Sequence, residues 1–176
     1  MNSKLFFFVS ALMLFGATSF AQQPFNTRVI PTPQQVVRSH GFFKVPDHFE
    51  IPIDTVKSIK GATNQKEAYR LVITTKNARL YITHPWGAIA GKKTFQQLKA
   101  LWNGEIPSME ITDWPAYEWR GFLDDISRGP IPNEKFRHRQ YNELICNLKL
   151  NFANYYTEHA LYNPQYPDIV PTDFNA

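Results

Sequence analysis

The sequence predicts two parts in one chain, an α+β domain followed by an incomplete parallel β/α unit, and three observations predict it. First, Ala68 to Thr75 and Leu80 to Thr83 alternate apolar and polar residues on either side of a short turn, and a helical apolar stripe follows. Second, past Tyr117 the pattern becomes strand, helix, strand, the order that builds parallel sheets. Third, the run from Tyr162 to Ala176 is rich in Pro and Asn and holds no third strand. Apolar residues at 43% and aromatics at 15% mark a globular chain, since disordered chains are poor in both.

The first residues form a separate object. Lys4 precedes an apolar run from Leu5 to Ala17, and Ser19-Phe20-Ala21 places small residues where a signal peptidase reads. Residues 1–21 are therefore expected to be a cleaved export signal, with the product periplasmic or extracellular. The run is shorter than the ~20 residues of a spanning helix, so no stable membrane anchor is expected.

Residues 22–115 read as short strands and one helix. Val29 and Ile30 make a leading strand that ends at the stiff Pro31-Thr32-Pro33 elbow. Val36-Val37 and Phe42-Phe43 flank Ser39-His40-Gly41, a pattern that predicts a small hairpin. Pro52 between Ile51 and Ile53 assigns that segment to a sheet edge. The two alternating segments form the main hairpin, turning at Lys76-Asn77-Ala78. Phe95, Leu98, Leu101 and Trp102 predict a helix from about Lys93 to Asn103 that stops at Gly104, and Met109 to Asp113 is a last short strand.

Residues 116–176 change period. Arg120 to Ile126 reads as a strand, Gly129 to Pro132 as a break, and Asn133 as the N-cap of a helix whose stripe is Phe136, Tyr141, Leu144, Ile145 and Leu148. Asn151 to Tyr156 is the second strand. A parallel sheet of two strands cannot cover its own faces, so this part is expected to be unstable alone and the chain to be a fragment.

Several function classes are disfavoured. A net charge of +4 with no Lys/Arg block argues against nucleic-acid binding. His40, His48 and His84 are scattered with no metal-ligand spacing, so no metal is expected. Cys146, the single cysteine, excludes an intramolecular disulfide and reads as a buried thiol on a helix.

Trp119-Arg120-Gly121 with the following Asp-Ile-Ser-Arg, the helix after it and Tyr155 to His159 resemble the first β/α unit of family 20 glycoside hydrolases, the β-N-acetylhexosaminidases, and more narrowly their secreted Bacteroidetes members. The region from Ile30-Pro31-Thr32-Pro33 to Ile106-Pro107 is similar to the non-catalytic α+β domain that precedes the barrel in that family. The resemblance implies a truncated (β/α)8 barrel, whose chemistry sits at the C-terminal strand ends. It further implies a glycan ending in N-acetylglucosamine or N-acetylgalactosamine as partner and no cofactor. Arg120 matches an arginine that bonds sugar hydroxyls, with pairing to a barrel carboxylate as the alternative role, and Glu158 falls where the family places an aspartate. Of Asp124 and Asp125, neighbours on a strand and hence on opposite faces, one can line the pocket; Asp125 is taken as that one. The family's catalytic Asp-Glu pair lies in a Gly-rich GGDE-like run that this sequence lacks, so no catalytic residue is assigned and the chain is expected to be inactive. The alternatives are a secreted carbohydrate-binding module, a gene relic, or a piece of a hyaluronidase or O-GlcNAcase type of glycosidase.

Overall fold

The computed structural model describes residues 25–125, 133–156 and 165. The expected export signal, Glu158 and the segment Ile126 to Arg128 lie outside these residues.

Five strands form one mixed sheet: β1 (Gln35–Lys44), β2 (Ile53–Thr55), β3 (Tyr69–Ile73), β4 (Ala78–Ile82) and β5 (Glu105–Asp113), in the order β1-β5-β3-β4-β2. The main hairpin is β3 and β4, antiparallel with Leu71 opposite Leu80, and Thr74 closes it by accepting from Lys76 N and Asn77 N. The edge position expected around Pro52 holds: β2 lies outermost, and pairs parallel to β4. Strand β5 is longer than its apolar core suggests and occupies the second position in the sheet, between β1 and β3.

Two expectations are corrected. Residues 35–44 are not a hairpin but one strand, because both halves pair with β5: Val36 lies opposite Ile111 and Phe43 opposite Ile106. Ser39-His40-Gly41 is the irregularity between them, where register shifts and Gly41 takes φ 89°, a bulge rather than a reversal. Val29 and Ile30 make no strand, although Val29 is buried in the core.

Helix α1 (Pro85–Leu101) starts eight residues before the expected Lys93. Its signals are local: the His84 imidazole Nδ1 accepts from Trp86 N at 3.3 Å, and Pro85 holds the first turn, where no amide donor is needed. Gly87 and Gly91, which lower helix propensity, hide this start in the sequence. Their role is close approach. A Cβ on Gly87 would strike the Ala68 carbonyl, and one on Gly91 the Leu80 side chain. The helix thus lies directly on β3 and β4, burying Tyr69, Leu71, Ile73, Ala78, Leu80 and Ile82 against Phe95 and Leu98. Asn103 and Gly104 end it in left-handed conformations, with Gly104 N donating to Lys99 O at 2.8 Å.

The second part is β6 (Gly121–Asp125), α2 (Glu134–Gln140) and β7 (Phe152–Tyr156). Asn133 caps α2 as expected, its side chain accepting from Phe136 N at 2.9 Å. The helix continues as a π-helix over Tyr141–Cys146. Strands β6 and β7 are parallel, as a strand-helix-strand order requires, with Asp125 opposite Tyr156.

Candidate functional site

The alternation of β6 and β7 sorts their side chains onto two faces. Phe122, Asp124, Ala153 and Tyr155 are half-buried on the helix side, whereas Leu123, Asp125, Phe152, Asn154 and Tyr156 are exposed on the other. Asp124 Oδ2 accepts from Gln140 Nε2 of α2 at 3.1 Å, and Tyr155 packs against Phe122 and Tyr141 with centroids 6.3 and 6.4 Å away. The two carboxylates are therefore separated by the sheet and cannot flank one bond between them. Asp124 is spent on the helix; Asp125 shares the open face with Tyr156 at the C-terminal end of the strand pair.

Arg120 precedes the opposite end of β6. Its guanidinium pairs in fork geometry with Glu67, with Nη2 on Oε2 and Nη1 3.3 Å from Oε1. Nη1 also donates to Tyr117 O at 2.7 Å, and Nε donates to Lys149 O at 3.2 Å. Asp125 lies five residue steps along the strand from Arg120, roughly 16 Å at the usual rise per residue. The structure does not bring these two predicted site residues together, and one sugar ring does not span them. In the structure the Arg120 guanidinium is paired with Glu67, a carboxylate of the first part of the chain and not of the strand-helix-strand unit.

Sequence reasoning missed the residues beside Arg120. Lys149, in a left-handed conformation at φ 55°, turns its side chain into the sheet part, where Nζ lies 2.9 Å from Asp113 Oδ2 and 3.1 Å from the Tyr69 hydroxyl. Tyr69 donates to Asp113 Oδ2 at 2.8 Å and meets Thr94 Oγ1 at 2.5 Å. Burial pushes the Lys149 ammonium below its ordinary range, with the Asp113 carboxylate opposing that fall. Burial, reinforced by the Asp113 charge, raises the Tyr69 hydroxyl well above its own. Nothing in the periodicity of these segments marks the network, because its members are 36 and 80 positions apart.

A cleft of about 840 Å³ also opens at this junction, lined by Trp86, Ile89, Trp119, Ile145 and Leu150 beside the Arg120–Glu67 pair. It lies at the starts of β6 and β7, away from Asp125. Cys146 is half-buried in its wall rather than fully enclosed. His40, His48 and His84 are exposed, and among the described residues no group of His, Cys, Asp or Glu could hold a metal ion. No helix of the described residues is long and apolar enough to cross a membrane.

A small mixed sheet covered by a helix thus leads, through largely buried ion pairs, into a parallel strand-helix-strand unit. Residues 51–114 match the family model for glycosyl hydrolase family 20, domain 2. A β-hexosaminidase of Akkermansia muciniphila is 31% identical over 128 residues, 68% of this chain and 26% of that protein. A crystal structure of a β-N-acetylhexosaminidase superposes with a TM-score of 0.64 at 27% identity over 80% of this chain and 30% of its own. A chitobiase of Flavobacterium johnsoniae shares the fold at a TM-score of 0.61 and 17% identity, over 81% of this chain and 30% of its own. The chain belongs to glycosyl hydrolase family 20. It spans about a quarter of the length of the curated relative it matches.

Proposed function

We propose that this chain is the amino-terminal portion of a secreted β-N-acetylhexosaminidase that removes terminal N-acetylglucosamine or N-acetylgalactosamine from glycans. The observation that carries this reading is the 31% identity over 128 residues with the Akkermansia muciniphila enzyme, a stretch longer than residues 51–114 can hold. It therefore includes residues outside the matched domain 2.

In this reading residues 22–115 are the supporting domain and 116–176 open a (β/α)8 barrel. The parallel pairing of β6 with β7, and the helix on one face only, support that assignment. The open face of the pair then turns towards the barrel axis and presents Asp125 at the catalytic end, with Glu158 following β7. Arg120 stands at the other end, held by Glu67.

The chemistry proposed is substrate-assisted and retaining. An aspartate orients the 2-acetamido group, whose carbonyl oxygen attacks the anomeric carbon while a neighbouring glutamate protonates the departing glycosidic oxygen; water then opens the resulting ring with the glutamate as base. The GGDE-like run that would supply both carboxylates is absent from this sequence, so the chain by itself does not catalyse the reaction.

The test uses 4-nitrophenyl N-acetyl-β-glucosaminide. The purified chain should release no nitrophenolate, while a longer product of the same locus carrying a GGDE-like run should. Turnover by the chain itself, or an in-frame continuation without such a run, would sink the reading.

A further inference from the structure

Four charged residues tie the two parts of the chain together, and all four act at the same end of the strand pair. Arg120 stands immediately before β6 and Lys149 three residues before β7. Their partners, Glu67 and Asp113, belong to the segment entering β3 and to the end of β5. Both pairs are largely withdrawn from water, with side-chain exposures of 17% and 14% for Arg120 and Glu67 and 10% and 11% for Lys149 and Asp113. Exposed ion pairs contribute little, but removing one member of a buried pair leaves an uncompensated charge.

The pairs are also joined to each other. Arg120 Nε donates to Lys149 O, so the backbone that aims the ammonium at Asp113 is held by the guanidinium that grips Glu67. The Arg120 carbonyl in turn accepts from Asn151 N at 2.8 Å and Phe152 N at 3.1 Å, and the Asn151 side chain accepts from Arg120 N at 2.9 Å. The left-handed backbone at Lys149 directs its side chain away from the strand pair and into the sheet part. The ammonium also meets the Tyr69 hydroxyl from β3, which itself leans on Thr94 of α1, and lies 5.3 Å from the centroid of the Tyr69 ring.

We propose that Glu67, Asp113, Arg120 and Lys149 form a cross-braced latch that fixes the angle of β6 and β7 on the five-stranded sheet. They are positioning residues for the open face that ends in Asp125 and Tyr156. The non-catalytic domain is then a foundation: it grips the first two strands at their starts, the ends opposite Asp125 and Tyr156. This deepens the reading of that face as sugar-facing, but the latch is tested without any glycan, so the two stand or fall separately.

The experiment measures the distance between spin labels on the full chain, with Cys146→Ser as background and cysteines introduced at the exposed Lys76 and Lys135. One label sits on the β3–β4 turn and the other on α2. The parent should give one narrow distance distribution. Lys149→Met should broaden it at least twofold or shift its mean, while Arg139→Ala, which removes an exposed pair with Glu143 inside the second part, should leave it unchanged. Glu67→Gln, which keeps the shape and one acceptor, should broaden it in the same direction to a smaller extent, and decides the matter if Lys149→Met does not fold. An unchanged distribution in Glu67→Gln and Lys149→Met would overturn the latch. So would equal broadening in Arg139→Ala.

Discussion

Gly87→Ala is the perturbation that most directly tests how α1 is seated. In isolation the change should help, because alanine is favoured over glycine inside a helix by about 1 kcal/mol. In this fold the added methyl would meet the backbone carbonyl of Ala68, with the carbonyl carbon 3.2 Å away, and Ala68 is fully buried beside β3. A buried backbone group leading directly into a strand cannot rotate aside as a side chain can, so the helix start must lift. Overpacking costs about 1–3 kcal/mol, and a methyl set against unyielding backbone falls at about 2–3 kcal/mol, which leaves a net loss of about 1–2 kcal/mol after the propensity gain. For a domain of about 90 residues that is a fall in Tm of roughly 5–15 °C. Thermal unfolding followed by circular dichroism measures it. A Tm equal to or above that of the parent would mean that the helix does not rest on Ala68 and begins nearer Lys93.

Two further outcomes follow from the buried network and from the open strand pair. Tyr69 ionises near 10 when unfolded but well above that in the fold, so above pH 10 the unfolded chain binds fewer protons and stability falls as pH rises. Tyr69→Phe removes that term, and its denaturant midpoint, though lower at neutral pH, should fall less steeply between pH 10 and 11; an unchanged slope would show that the hydroxyl titrates normally. Residues 116–176 expressed alone should be digested by trypsin much faster than the same residues in the full chain, because Leu123 is 62% exposed, Phe152 46% and Tyr156 43% even with the sheet part present. A resistant core formed by those residues alone would contradict this.

The parts of the fold legible in the sequence are those set by neighbours. Alternation located β3 and β4, Pro52 located the edge, Asn133 located the start of α2, and the strand-helix-strand order required the parallel pairing of β6 and β7. Where local signals conflicted with packing, the expectation failed. Gly87 and Gly91 are poor helix residues by propensity, yet they are what lets α1 touch the sheet. Gly41 read as the turn of a hairpin, yet β5 is long enough to pair with both halves of β1.

The candidate site divides along the same line. That Asp124 and Asp125 face opposite ways is a property of any strand, and the sequence alone determined it. Which of them lies on the open face was decided by the tertiary structure, because it depends on which side α2 covers, and Gln140 of that helix binds Asp124. The partner of Arg120 was likewise beyond the sequence. Its motif marks it as important, but its partner Glu67 is 53 residues away, and Lys149, which braces it, carries no motif at all. Charge pairs between distant segments leave no period in a chain, since only folding brings them to within bonding distance and out of water.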